Sequence, residues 1–489
     1  MKFGIPGGKF FKAAAAIQPG SKENRSMDSR GRIVVCVLAL ALAPACSSSS
    51  RSNNATADVP SPHLAVDSTR PSAWWLGSLP DGEEKRQFIL DCTGCHQFDE
   101  RNVTHEGSPR TRDQWAEDTR RMLAYAGAQS GFPVIAAHRD PERTADWLAG
   151  ALAKERRPGD AVGRITAASD ANRVEIRELD MPLPGDLPHD VAVQADGSAV
   201  ITGMFSHVLY RVDPATSRMD SIPIPVEKAN PRAIEIDRSG RWWALLGNPK
   251  KIARYDPSSG AWATWDIGLY PHSIAVTPDG KSVWFNGHFT RDPEEIGRLD
   301  VETGRVERFS LPAHPTLAAA GGPVPYELRL ASDGAVWMSE LQGNRILRFD
   351  PATKDSRVFT MPLSWSGPRR FDIDPRGNLW IPAYSGGSLW KLEGRTGVFR
   401  EYPLPVKDTL PYVARVSPRD GKIWIGAAAV DAVFAFDPEG ERFAAYPLPT
   451  RGVTVRHMAF HDATGDLWLA YGASPARHPA RVARLRRSG

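Results

Sequence analysis

The residues best suited to chemistry stand together in one short run, Cys92-Thr93-Gly94-Cys95-His96. Two thiols three positions apart near a helix end can reach both vinyl groups of one porphyrin, and the next residue can turn its imidazole onto the iron. The run therefore reads as a c-type haem attachment site, with Cys92 and Cys95 as covalent anchors of one haem c and His96 as an axial ligand. The alternative is a disulfide or redox CxxC followed by an incidental histidine. A thioredoxin-like site would need a βαβ setting, and the flanking pattern is helical instead. The sixth iron ligand must come from elsewhere. Between Cys95 and Asp180 the only methionine is Met122, whose thioether would raise the reduction potential and suit electron transfer. His105, His138 or water are the other choices.

The elements that must hold these residues are short helices. Thr111 with Gln114 forms a capping box that opens a helix running through Trp115, Met122 and Leu123. A further helix begins at Asp140-Pro141, with the aspartate as cap and proline in the first turn, and it buries Trp147, Leu148 and Leu152. Three short helices around CxxCH resemble the small all-α cytochrome c domain found beside periplasmic dehydrogenases, over residues 80–157.

The rest of the composition sets bounds. The chain has 489 residues, 41% of them hydrophobic and 24% charged, which describes a soluble multidomain protein rather than a disordered or multi-span membrane chain. Sixty-one basic against fifty-seven acidic residues leave a charge of +4, too little to point to nucleic acid. The four cysteines, at 36, 46, 92 and 95, all lie in the first fifth of the chain. From Met27, which reads as a plausible start, Arg30 and Arg32 precede an apolar run from Ile33 to Leu42 and small residues up to Cys46. That order is a secretory signal, too short for a comfortable membrane span. Ala43-Pro44-Ala45-Cys46 resembles a bacterial lipobox, so residues 1–46 form a leader, Cys46 is a lipidation site, and 47–79 form a flexible tether. Simple cleavage and secretion is the alternative. The expected location is the periplasm, on an outer-membrane lipid anchor.

Beyond Leu187 the chain repeats one sentence, as in LPHDVAVQADGSAVI, YPHSIAVTPDGKSVWF and GPRRFDIDPRGNLWI. Each copy has an alternating strand, a turn of D-G, R-G or S-G type, and a second strand that usually closes on tryptophan. Six copies continue into a third and a fourth strand; the seventh stops short. Residues 173–184, RVEIRELDMPLP, supply the missing strand and close the ring. The fold class is thus multidomain, a small all-α domain followed by an all-β seven-bladed β-propeller over 173–489.

Register places one residue per blade at the opening of the innermost strand: His189, Arg232, His272, Tyr326, Arg369, Tyr412 and Arg456. All seven can donate hydrogen bonds where apolar side chains would suffice for packing. They are expected to ring one channel mouth and to suit a small molecule with carboxylate, carbonyl or phosphate oxygens. A water-filled, purely structural channel is the alternative. Glu340, ending the next strand of its blade, is expected to face the same mouth, with His288 a weaker choice.

The blade sentence resembles the streptogramin B (virginiamycin B) lyase family, in P-H-x-I, D-G-x-x-W and G-N-R-I-x-R-F-D, over residues 173–489. The resemblance implies a seven-bladed propeller that opens cyclic depsipeptides by elimination, using a mouth histidine as base and a glutamate that helps hold Mg²⁺. Glu340 with Asn344-Arg345-Ile346 matches the glutamate-bearing blade, and His272 opens the preceding blade as a family histidine would. The base position fourteen residues before Glu340 holds Tyr326, and a phenol of ordinary pKa is a poor base at neutral pH. Tyr326, Glu340 and His272 are therefore the candidate catalytic set, and the residues departing from the family pattern are part of it.

Three functions compete on this reading. The first is a periplasmic electron-transfer protein whose propeller binds a substrate or redox partner. The second is a Mg²⁺-assisted C–O lyase with an accessory haem, and the third a non-catalytic surface scaffold. A lyase exchanges no net electrons, which favours the first.

Overall fold

The structure, a computed structural model, describes residues 71–489 apart from 95, 128–129, 131–133, 136–138, 154–164, 166, 184, 289–293, 318–321, 473–479 and 488–489. The leader, Cys46, most of the tether, Cys95 and His138 thus lie outside the described residues.

Five helices precede the propeller among the described residues: α1 (Ser72–Leu76), α2 (Glu83–Cys92), α3 (Glu100–Val103), α4 (Arg112–Ala126) and α5 (Pro141–Leu152). The capping box of α4 is formed, with Thr111 accepting from the Gln114 amide and Gln114 reaching back. Asp140 caps α5 by accepting from the Glu142 and Arg143 amides, with Pro141 in the first turn. The sequence leads one to expect three helices, and two more are present. The short α3 is capped by Asp99. Helix α1 falls where a flexible tether is expected, because Ala73, Trp75, Leu76 and Leu79 are apolar enough to be buried, and the Ala73 amide donates to the Ala429 carbonyl of the propeller at 3.0 Å. A two-residue hairpin, Thr104–His105 with Ser108–Pro109, interrupts the helices.

Seven four-stranded antiparallel sheets follow. The first strand of the propeller, Val174–Asp180, pairs with the last, Ala480–Arg487, and completes the seventh blade. This closure removes the exposed edges that an open ring would carry. The tryptophans that close the second strands have a shared role. Trp243, Trp284, Trp337 and Trp424 stack over an aromatic ring of the fourth strand of the same blade, Trp265, Phe309, Phe359 and Tyr446. Each such pair covers the blade's outer half with large apolar area at low entropy cost.

The innermost strands are irregular at one place. In six blades the pairing shifts register immediately after or beside the opening residue: at 188/191, 231/233, 271/274, 325/328, 411/413 and 455/457. In the fifth blade the regular strand shrinks to Asp372–Ile373, with Pro368 held by a single bridge to Ala383. A proline precedes the opening residue in every blade but the last. Lacking an N–H, it cannot continue the ladder, and the bulge that results re-aims the next side chain.

The helices and the propeller share one apolar cluster. Leu90 and Phe88 of α2, Trp75 and Leu76 of α1, and Tyr326, Tyr384 and Tyr412 of the propeller belong to it. Gly367, at φ +66°, lies where any side chain would meet Leu90 Cδ2 at 2.3 Å, so α2 approaches the fifth-blade loop as closely as backbone allows.

Candidate functional site

Six bulges and the shortened inner strand of the fifth blade bring seven side chains together at the channel mouth. His189, Arg232, His272, Tyr326, Arg369, Tyr412 and Arg456 are all buried. The amide following the opening residue is held by a side chain of the neighbouring strand in three blades: Asn286 Oδ1 accepts from the Ser273 amide at 2.7 Å, Thr202 Oγ1 from Asp190 at 2.9 Å, and Ser339 Oγ from Glu327 at 3.1 Å. These bonds satisfy amides that a bulge withdraws from the ladder.

The ring divides into two halves. On one, His272 lies 5.5 Å from His189 and 4.3 Å from Tyr326, ring to ring. Its Nδ1–H donates to the Tyr326 carbonyl at 2.8 Å, which leaves the lone pair on Nε2, and that atom has no hydrogen-bond partner among the described residues. Burial, reinforced by His288, Arg370 and Arg232, holds its imidazole neutral, well below the ordinary range. Arg232 donates to the Tyr270 hydroxyl at 3.0 Å. On the other half the Tyr326 and Tyr412 hydroxyls are bonded to each other. Arg369 stacks on three phenols, 3.7 Å from the Tyr384 ring, 4.3 Å from Tyr412 and 5.0 Å from Tyr326. Arg456 donates to the Tyr412 hydroxyl at 3.4 Å. Burial pushes both phenols up, and Tyr326 stays high. For Tyr412 the guanidiniums of Arg369, Arg456 and Arg370 outweigh burial and bring it below the usual phenol range. Tyr412 is thus the more acidic of two hydrogen-bonded phenols.

A second tier lies one residue further along the same strands and was not legible as a site. Arg370 grips Asp190 with two bonds of 2.8 and 3.1 Å. Arg415 and Arg329 each reach Glu327 at 3.1 Å, and Arg415 donates to His457 Nε2 at 2.7 Å. The residue after each opening residue in the sequence, Asp190, Glu327, Arg370 and His457, was the available signal. Asp190, Glu327, Arg370 and Arg415 are buried charges paired across blades, and burial keeps the His457 imidazole beside Arg415 neutral.

The helical region sits on this mouth. Tyr384 donates to the Thr93 carbonyl at 2.9 Å and lies 3.0 Å from Thr93 Oγ1. A side chain at Gly94 would come within 3.2 Å of Arg369 Nη2. Gln97 Nε2 bonds the Ala428 and Val453 carbonyls at 3.1 and 3.0 Å. Gln342 Nε2 bonds Asp91 and the Val134 carbonyl at 3.3 and 2.9 Å, and Lys85 pairs with Asp408 at 2.7 Å. The CxxCH loop therefore rests against Tyr384 and Arg369, beside the tyrosine half of the ring.

Of that loop the described residues are Cys92, Thr93, Gly94 and His96, and the donor chemistry of Cys92 and His96 is what a haem would need. His96 Nδ1 faces the Gln97 carbonyl at 3.3 Å and can only donate to it, so Nε2 carries the lone pair that ligation needs. Burial lowers the imidazole below its ordinary pKa and keeps it neutral. Cys92 ends α2 and is half-buried. Met122 is half-buried on α4, and its neighbour Arg121 lies within electrostatic reach of His96. His105 is exposed.

Mg²⁺ does not fit. Glu340, expected at the mouth, gives both carboxylate oxygens to Arg345, at 2.6 and 2.7 Å, and is wholly buried. Arg345 in turn bonds the Pro312 and Ala313 carbonyls, so the pair is a closed structural unit and not an open ligand. No cluster of three His, Cys, Asp or Glu side chains suited to a metal occurs among the described residues. Tyr326, in the base position, is a phenol pushed further from ionisation by burial. His288 packs 4.4 Å from His272 and its Nδ1–H donates to the Pro325 carbonyl at 2.7 Å.

Fold and site together define a seven-bladed β-propeller with a helical cap seated on its channel mouth. The model of the virginiamycin B lyase family matches residues 316–483, within blades four to seven. Among solved structures, a streptogramin B lyase is 19% identical with a TM-score of 0.57, covering 64% of this chain and 98% of that one. A selenomethionine-substituted virginiamycin B lyase from Staphylococcus aureus is 19% identical with a TM-score of 0.56, covering 64% and 99%. Hydrazine synthase of Kuenenia stuttgartiensis is 15% identical with a TM-score of 0.50, covering 64% and 97%. At these identities the likeness is one of fold. No curated protein matches the chain significantly.

Proposed function

We propose that this chain is an exported c-type cytochrome, anchored through a lipid on Cys46, that exchanges electrons with a small molecule or periplasmic redox partner at the propeller mouth. Cys92 and Cys95 would carry the single haem, His96 would ligate its iron, and Met122 would supply the sixth ligand. One observation carries the reading: Thr93, between the two cysteines, is bonded to Tyr384, 291 positions away, and the Tyr384 ring carries the guanidinium of the ring residue Arg369 at 3.7 Å. A lyase has no use for that junction, whereas an electron carrier needs its cofactor held against the site it serves.

Bound haem supplies one-electron chemistry. The protein's own groups would do the remainder. Arg232, Arg369 and Arg456 orient carboxylate, carbonyl or phosphate oxygens of a ligand. Tyr412, the more acidic phenol of its pair, takes up or returns a proton. The cap and the buried second tier exclude water.

The test uses the full chain, produced with haem maturation. Pyridine haemochrome absorbance and mass spectrometry should report one covalent haem, and its loss in Cys92→Ala/Cys95→Ala. The oxidised protein is then mixed anaerobically with periplasmic metabolites and with a streptogramin B, following haem absorbance and product masses together. Haem reduction with a changed metabolite is expected. A linearised depsipeptide with the haem still oxidised would overturn the proposal in favour of the lyase.

A further inference from the structure

The inner strands of the first three blades, Pro188–Val193, Pro231–Ile236 and Pro271–Val276, are neighbours around the channel. They place His189, Arg232 and His272 in that order at the mouth. The two imidazoles meet edge to face, with centroids 5.5 Å apart. The tautomer of each is fixed by what faces Nδ1. In His189 it is Asp190 Oδ1 at 2.8 Å, and that carboxylate, gripped by two bonds from Arg370, can only accept. In His272 it is the Tyr326 carbonyl at 2.8 Å, again an acceptor. Nδ1 therefore carries the hydrogen in both rings, and each Nε2 keeps its lone pair.

Burial outweighs the Asp190 carboxylate and pushes the His189 imidazole down to about 3, so its lone pair stays open at neutral pH. His272 Nε2 has no hydrogen-bond partner among the described residues, and neither has Arg232 Nε. Arg232 donates through Nη1 to a neutral group, the Tyr270 hydroxyl, at 3.0 Å. This part of the mouth thus reads acceptor, cation, acceptor. A plain carboxylate would match Arg232 and leave the imidazole lone pairs without a donor, which is costly in a buried setting. An oxyanion with a hydroxyl on the adjacent carbon matches both kinds of group. His189 keeps 3% of its surface exposed where His272 is wholly enclosed, so His189 is the acceptor within reach.

We infer that the channel mouth takes a 2-hydroxy acid, its carboxylate held by Arg232 and its hydroxyl donating to His189 Nε2. This assignment rests on the reading of the mouth as a small-molecule site and does not involve the haem.

The full chain is titrated calorimetrically with acids that differ only by the hydroxyl: glycolate against acetate, each lactate enantiomer against propionate, and malate against succinate. In at least one pair the hydroxy acid should bind roughly tenfold tighter or more. His189→Phe removes the acceptor and should bring that pair to equal affinity. His189→Gln, whose side-chain carbonyl accepts, should keep part of the difference. Melting temperatures without ligand show whether each variant folds, and the wild-type comparison stands without them. Equal affinities within every pair for the wild type would overturn the inference while leaving the mouth a carboxylate site. A preference undiminished in a folded His189→Phe would overturn it as well, since the hydroxyl would then be read elsewhere. If the wild type binds none of these acids, the inference falls together with the small-molecule reading of the mouth, an outcome distinct from equal affinity.

Discussion

Tyr384 of the fifth blade donates its phenolic hydrogen to the carbonyl of Thr93 at 2.9 Å, inside the CxxCH loop. Both residues are buried, and the same phenol ring carries the Arg369 guanidinium at 3.7 Å. A single side chain thus touches the loop of the cap and a member of the propeller ring.

Tyr384→Phe should destabilise the chain by about 1–3 kcal/mol, because the Thr93 carbonyl loses its donor in a buried setting. Urea unfolding measures this. A Gly367→Val change should act more strongly by driving Leu90 off the fifth-blade loop, and it should expose the cap to proteolysis at protease levels that leave the wild type intact.

Met122→Ala should change the visible and near-infrared bands of the oxidised haem and lower its potential, as loss of a thioether ligand requires. His138→Ala serves as the matched control. If Met122→Ala leaves the spectrum unchanged and His138→Ala alters it, the histidine is the sixth ligand.

Arg345→Ala should cost about 3–5 kcal/mol, since Glu340 would remain buried without its cation. Glu340→Gln should cost less, because the amide still accepts from Arg345. Added Mg²⁺ should leave the melting temperature of the wild type unchanged, and a rise that saturates with Mg²⁺ would contradict the closed Glu340–Arg345 pair.

Glu235 accepts from the Val276 amide at 2.7 Å on the inner strand of the second blade. Burial pushes its carboxyl up to about 7, offset only in part by Arg329 and that amide. A carboxyl whose folded pKa exceeds its unfolded value, near 4.3, favours folding below the unfolded value and loses that contribution as the pH rises through the folded one. Glu235→Gln should therefore flatten the fall in melting temperature between pH 5 and 8 relative to the wild type. Parallel slopes for the two proteins would count against it.

The blades are legible in the chain itself, because alternation, D-G turns and closing tryptophans are local signals that repeat. So are the caps of α4 and α5, where Thr111 and Asp140 act on amides two or three residues away. Equivalent positions in seven repeats also bring the ring residues together, since repetition converts register into geometry. Helix α1 is less legible: its apolar residues are few, and only the propeller surface around Ala429 makes their burial worthwhile.

Alone, the sequence determined the seven-bladed ring and the CxxCH run, since both depend on spacing along the chain. Only tertiary structure decided that the ring is covered by the protein's own helices, that Glu340 belongs to Arg345, and that Asp190, Glu327, Arg370 and His457 form a second tier. The physical reason is distance along the chain. A bulge re-aims a side chain by a register shift that no periodicity records, and Thr93 meets Tyr384 across 291 positions. Such contacts are selected by packing and by pairing of buried charge, which act between elements after they have formed.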